Sequence, residues 1–272
     1  MTPERLRALL DDVAAEAVAQ DRLPAEAADG APAGPLFRPV LPRGEGEVAD
    51  WVTPVAQRWS RALSLTPREL ARVLAAGLVA RPEVAAVEVA PSGLVTLTVT
   101  DEARGQVVAA VLADPTGYAR GMPSGAVPPA ASPPGSPPTS TPDPSVSDRL
   151  APARRAHARL RRLVRNAEAV GVYQRGQGAR DRLADVAERL LLVALADLPQ
   201  RLAAHEGDRA RQERALLDLA GLADAWHLPL RPRTVDDPDE RVHGVRLGLA
   251  RAASLVLRNG LHRLGADAPE RM

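Results

Sequence analysis

The sequence predicts a multi-domain chain: a small α+β domain over residues 1–120, a Pro-rich linker over 121–147, and an all-α helical bundle over 148–272. Three observations carry this reading. Residues 121–147 hold nine prolines among 27 and nothing that could build a core. Proline fixes φ and removes a donor, so this stretch predicts a semi-stiff tether. Upstream, helical spacing is mixed with strict alternation; downstream, only helical spacing recurs.

In the first domain, Leu6, Leu9, Leu10, Val13 and Ala17 fall on one helical face behind the start signal Thr2-Pro3-Glu4. Thr66-Pro67-Arg68-Glu69 has the form of a capping box, with Thr66 as N-cap and Glu69 at N3. It opens a helix running to about Val79. Val84 to Val89, then Pro-Ser-Gly, then Leu94 to Val99 reads as a hairpin. A helix from Glu102 to Leu112 follows, and Phe37 to Leu41 and Val48 to Val52 are candidate strands.

In the second domain, Ala153, Ala156, Leu160, Leu163, Ala167 and Val170 alternate steps of three and four, an apolar stripe ended by Gly171. Leu183 to Leu198, Arg209 to Trp226 and Arg241 to Leu264 supply three more helices. Asn259-Gly260 predicts an interruption in the last, whose packed face is Leu247, Ala250, Ser254, Leu257 and Leu261.

Aromatic residues are scarce, so the cores must be Leu, Val and Ala, which favours helices. All 35 basic residues are Arg. The absence of Cys excludes disulfides, thiol catalysis and Cys-held metals, and fits a reducing cytoplasm. The first twenty residues carry Glu4, Asp11, Asp12 and Glu16 and no unbroken apolar block, unlike a signal peptide or membrane span. A net charge of +1 conceals an asymmetry: residues 1–122 sum to −4 and residues 148–272 to +6. Any attraction for a polyanion therefore belongs to the second half.

The strongest local signal is Arg149 to Arg165, which contains Arg149, Arg154, Arg155, Arg159, Arg161, Arg162 and Arg165 and no acid. At 100° per residue, Arg154, Arg161 and Arg165 project opposite the apolar stripe, with Arg155 and Arg162 on an adjoining flank. Guanidinium groups so placed can fork onto phosphates. Arg246, Arg251 and Arg258 add cations on the last helix, where no acid lies between Arg241 and Arg263. His157, at the edge of the stripe, reads as a packed, hydrogen-bonded histidine. Asp236 to Glu240 reads as a solvated loop without the fixed spacing of a cation site. No residues pair into a catalytic triad, and neither a metal nor a cofactor is expected.

Three stretches resemble bacterial arginyl-tRNA synthetase. The last 27 residues, Arg246 to the closing Ala-Pro-Glu-Arg-Met272, are similar to the end of those enzymes. Ala156-His157-Ala158-Arg159-Leu160, with Leu163 and Arg165-Asn166-Ala167, resembles the opening helix of their DALR-type anticodon-binding domain. Pro67 to Ala71, Val84, Val87 to Val89 and Gly93 resemble their N-terminal additional domain, which contacts the tRNA D-loop corner. The resemblance omits the nucleotide-binding catalytic domain: there is no His-x-Gly-His tetrad and no Lys for a signature loop.

The likeness implies a non-enzymatic, cytoplasmic tRNA-binding protein, with arginine tRNA as one candidate ligand. Docking on arginyl-tRNA synthetase or another protein is the alternative. Arg154, Arg155, Arg159, Arg161, Arg162, Arg165, Trp226, Arg246, Arg251 and Arg258 are the expected RNA contacts. Pro54 stands where the family has an Asn at the D-loop, and Pro has no amide donor. Arg155 replaces a Tyr, and Pro229 and Leu230 replace two aromatics. Stacking surfaces read bases in single-stranded loops, so these changes imply weakened anticodon reading with general tRNA affinity retained.

Overall fold

The computed structural model describes residues 1–40, 49–119, 148–173, 183, 185–227 and 240–270. The expected linker, the candidate strand residues at 41 and 48, Pro229, Leu230 and the Asp236 to Asp239 run lie outside them. The chain divides into two compact units, Met1–Ala109 with Gly176–Gln200, and Ala110–Arg175 with Arg201–Met272. These limits depart from the domain boundaries read in the sequence. Each unit takes in a segment expected in the other or in neither.

In the first unit, helix α1 (Pro3–Ala19) starts where Thr2 Oγ1 accepts from the Arg5 amide, and it buries the five residues its spacing selects. Strands β1 (Arg38–Pro39) and β2 (Trp51–Thr53) are shorter than expected. A single turn, α2 (Val55–Trp59), follows with Pro54 at its N-cap, and the capping box of α3 (Pro67–Val79) forms in full. Strands β3 (Val84–Val89) and β4 (Val95–Val99) make the predicted hairpin, and the sheet is antiparallel throughout in the order β1-β2-β4-β3. Along β4, Val95, Leu97 and Val99 face the core, with Thr96 and Thr98 between them half-buried.

The hairpin turns at Gly93, whose φ is +81°. A Cβ there would stand 2.7 Å from Pro67 Cβ and 2.8 Å from Pro67 backbone atoms. Gly93→Ala thus adds left-handed strain to a clash with backbone that cannot rotate away, and is expected to cost about 2–4 kcal/mol in urea denaturation. A loss under about 1 kcal/mol would show that the turn relaxes freely.

Helix α4 (Asp101–Ala113) brings in the residue that ties the unit together. Arg104 Nε and Nη2 donate to the two Asp50 oxygens at 2.9 and 2.7 Å, and Nη2 also donates to the Val99 carbonyl. Asp50 Oδ2 accepts from the Val99 amide at 2.9 Å as well. Both side chains are 3 % exposed. Helix α6 (Val186–Ala204) carries Arg189, which stands 3.7 Å from Asp50, and Gln200, whose Nε2 donates to the Phe37 carbonyl at 3.0 Å.

The second unit is helical. Helix α5 (Ala151–Ala169) packs on α7 (Arg209–Ala225) and α8 (Glu240–Arg263), burying Ala153, Ala156, Leu160, Val164 and Ala167. The predicted stripe needs two corrections. Leu163 is only half-buried, with Val164 packed instead, and Val170 is exposed. The expected packed face of α8 is buried in full.

The expected interruption at Asn259-Gly260 does not occur, because α8 runs unbroken to Arg263. Gly260 lets α8 approach α7, since a Cβ there would lie 2.5 Å from Leu216 Cδ1. Asn259 donates to the Pro115 and Tyr118 carbonyls, which holds the segment after α4. Gly265, at φ +72°, ends the helix in a Schellman turn: its amide donates to the His262 carbonyl and that of Ala266 to Leu261.

Candidate nucleic-acid interface

Helix α5 is acid-free until Glu168 and lies with its apolar stripe inward, so its arginines are forced to its other sides. The structure gives them three different fates. Arg155 and Arg162 are exposed and make no described contact. They stand seven residues apart, about 10 Å along the axis and about 20° apart around it.

Arg159 is committed inward. Its Nε lies 3.2 Å from Asp224 Oδ1, and its other nitrogens donate to the Ala223 and Trp226 carbonyls. A cation there meets the last carbonyls of α7, where the helix dipole is negative. Arg149, just before α5, is likewise engaged with Glu213 at 3.0 Å. Hydrogen bonds from Arg149, then from Arg209, hold that carboxyl below its ordinary pKa despite opposing desolvation.

Arg154, Arg161 and Arg165 meet the chain's own C-terminal segment. Arg154 Nη2 is 2.9 Å from Asp267 Oδ2, and Arg161 Nη2 is 2.9 Å from Glu270 Oε1. Arg165 donates from both terminal nitrogens to the Glu270 carbonyl, at 3.2 and 3.3 Å. The hydrogen bond from Arg161 lowers the pKa of the Glu270 carboxyl. Between these pairs, His157 is buried with Nδ1 3.0 Å from the Pro269 carbonyl. A carbonyl can only accept, so Nδ1 carries the proton. Burial, outweighing the hydrogen bond to Pro269, lowers the His157 pKa and so favours the neutral ring.

The open guanidinium face read from the sequence is therefore corrected: three of its arginines are covered by residues 267–270, and Arg159 is a structural cap. Trp226 is corrected too. At 1 % exposure it offers no face to a base, and its Nε1 has no hydrogen-bond partner among the described residues. On α8, Arg251 pairs with Glu168 at 2.6 Å, Arg258 donates to the Pro115 carbonyl at 2.9 Å, and Arg246 is half-buried. Sequence reasoning missed Asp267 and Glu270 as partners. The available signal was two acids three residues apart just past the Gly265 helix stop. Among the described residues, no helix is long and apolar enough to cross a membrane, and no three acids or histidines gather to hold a metal ion.

Residues 153–272 match the family model of the DALR anticodon binding domain. The chain is 39% identical over 122 residues to an arginine–tRNA ligase of Desulfitobacterium hafniense, which covers 43% of this chain and 21% of that protein. The arginine–tRNA ligase of Kineococcus radiotolerans is 35% identical over 122 residues, covering 43% and 22%; that of Thermotoga maritima is 33% identical over 126, covering 43% and 21%. The chain thus spans about a fifth of the length of these relatives. No solved structure matches it.

Proposed function

We propose that this chain, whose residues 153–272 are related to the anticodon-binding domain of arginine–tRNA ligases, is a non-catalytic, cytoplasmic tRNA-binding protein. The observation that carries the reading is the pair Arg155 and Arg162, both exposed on one side of α5 and free of described partners. Two such groups are placed to fork onto phosphates of one backbone. The non-catalytic part rests on the sequence, which has neither a His-x-Gly-His tetrad nor any Lys.

With the full chain and arginine tRNA, two phosphate contacts give a slope of log K on log salt of roughly −1.4 to −1.8. Arg155→Glu with Arg162→Glu is expected to weaken binding by at least about tenfold at low salt, as loss of charge-assisted hydrogen bonds implies. Its thermal midpoint should stay within about 1 °C, since neither side chain holds the fold. Unchanged affinity in that double variant sinks the proposed interface. An unrelated tRNA is expected to bind within a few-fold, because backbone contacts carry no sequence information. Arginyl-tRNA formed from ATP, arginine and tRNA would refute the non-catalytic assignment.

The neutralisation of Arg154, Arg159 and Arg161 favours one rival, docking on arginyl-tRNA synthetase or another protein. That rival predicts no tRNA binding at low salt and capture of the synthetase instead.

A further inference from the structure

We propose that residues 267–270 form an acidic strap that competes with RNA for the arginines of α5, so that the chain masks most of its own phosphate-binding face. The proposal rests on the tRNA-binding reading above and goes beyond it by naming what controls the site.

The strap is built, not draped. The Schellman turn at Gly265 reverses the chain out of α8, and the buried Leu264 and Ala266 fix its root. From there it runs along α5 in register with the basic face: Asp267 on Arg154, the Pro269 carbonyl on His157, the Glu270 carboxylate on Arg161 and its carbonyl on Arg165. Arg154 and Arg161 are seven residues apart, so the two carboxylates sit about 10 Å apart along the helix. Carboxylate and phosphate are taken by the same guanidinium donors, which makes the strap an internal stand-in for a phosphodiester chain.

Its hold is suited to exchange. Asp267 and Glu270 remain 48% and 63% exposed. Exposed pairs of this kind are individually weak and screened by salt. A polyanion offering several phosphates also gains from counterion release, which two carboxylates cannot match. With the strap in place, Arg155 and Arg162 are the available contacts on α5; with it displaced, Arg154, Arg161 and Arg165 join them.

The test compares three full-length proteins against arginine tRNA over a salt series. The strap variant carries Asp267→Asn and Glu270→Gln. The control carries Asp12→Asn and Glu88→Gln, two exposed carboxylates of the first unit with no described partner, and changes net charge equally. The strap variant is expected to bind about tenfold more tightly than the control, with a salt slope steeper by roughly 1.4–1.8 for two added phosphates. A chain ending at Ala266 should gain at least as much, because Arg165 is freed too. Affinity and slope within twofold of the control, with wild-type binding intact, overturn the strap and leave the tRNA reading standing. Failure of all the proteins to bind at low salt overturns both. Thermal midpoints confirm that each protein is folded.

Discussion

Asp50→Ala is expected to destabilise the first unit by about 3–5 kcal/mol, among the largest effects of any single substitution in this protein. Asp50 accepts from Arg104 through both oxygens and from the Val99 amide, with Arg189 close by, all at 3% exposure of the carboxylate. Removing it leaves the Arg104 charge buried with Asp101 and the Val99 carbonyl as its remaining partners, together with an unfilled amide. The penalty comes from the orphaned charge more than from the lost attraction. Replacing Asp50 and Arg104 together by Leu and Met should therefore recover much of the loss. Urea denaturation of the single and double variants checks both halves. A cost below about 1 kcal/mol for Asp50→Ala, or a double variant worse than the single one, would contradict this account.

Trp226→Ala is expected to cost about 3–5 kcal/mol, as truncation of a buried Trp does elsewhere. The indole is packed at the end of α7, where the Trp226 backbone carbonyl also accepts from Arg159. Trp226→Phe separates packing from recognition. Phe keeps most of the buried surface and removes an indole donor that has no partner among the described residues, so stability should change by less than about 1.5 kcal/mol and tRNA affinity not at all. If Trp226→Phe kept its melting temperature but lost tRNA binding, the indole would be a recognition element despite its burial.

What could be read in advance divides by sequence distance. The Thr66–Glu69 box, the Gly93 turn and the spacing of α1 are settled by neighbours within a few residues, and all three appear in the structure. The fate of the arginines is not. Arg154 and Arg161 meet carboxylates more than a hundred residues away, and Arg159 meets one 65 residues away. A helical projection tells which side chains leave the core, yet not what lies over them. Asn259-Gly260 failed for a related reason. As local code the pair says stop; inside a bundle, the missing Cβ makes room for Leu216 and the amide reaches Pro115 and Tyr118. Asp50 and Arg104 carry no pattern that would announce them as one buried network.

Because the first unit draws on Gly176–Gln200, its chain is discontinuous. A ribosome delivers polypeptide from the N-terminus onward, and domains generally fold as they emerge. Here the first unit cannot finish until residue 200 has left the exit tunnel, by which time all of α5 has already been synthesised. The carboxylates that take up its arginines, Asp224, Asp267 and Glu270, are thus all translated after α5 itself.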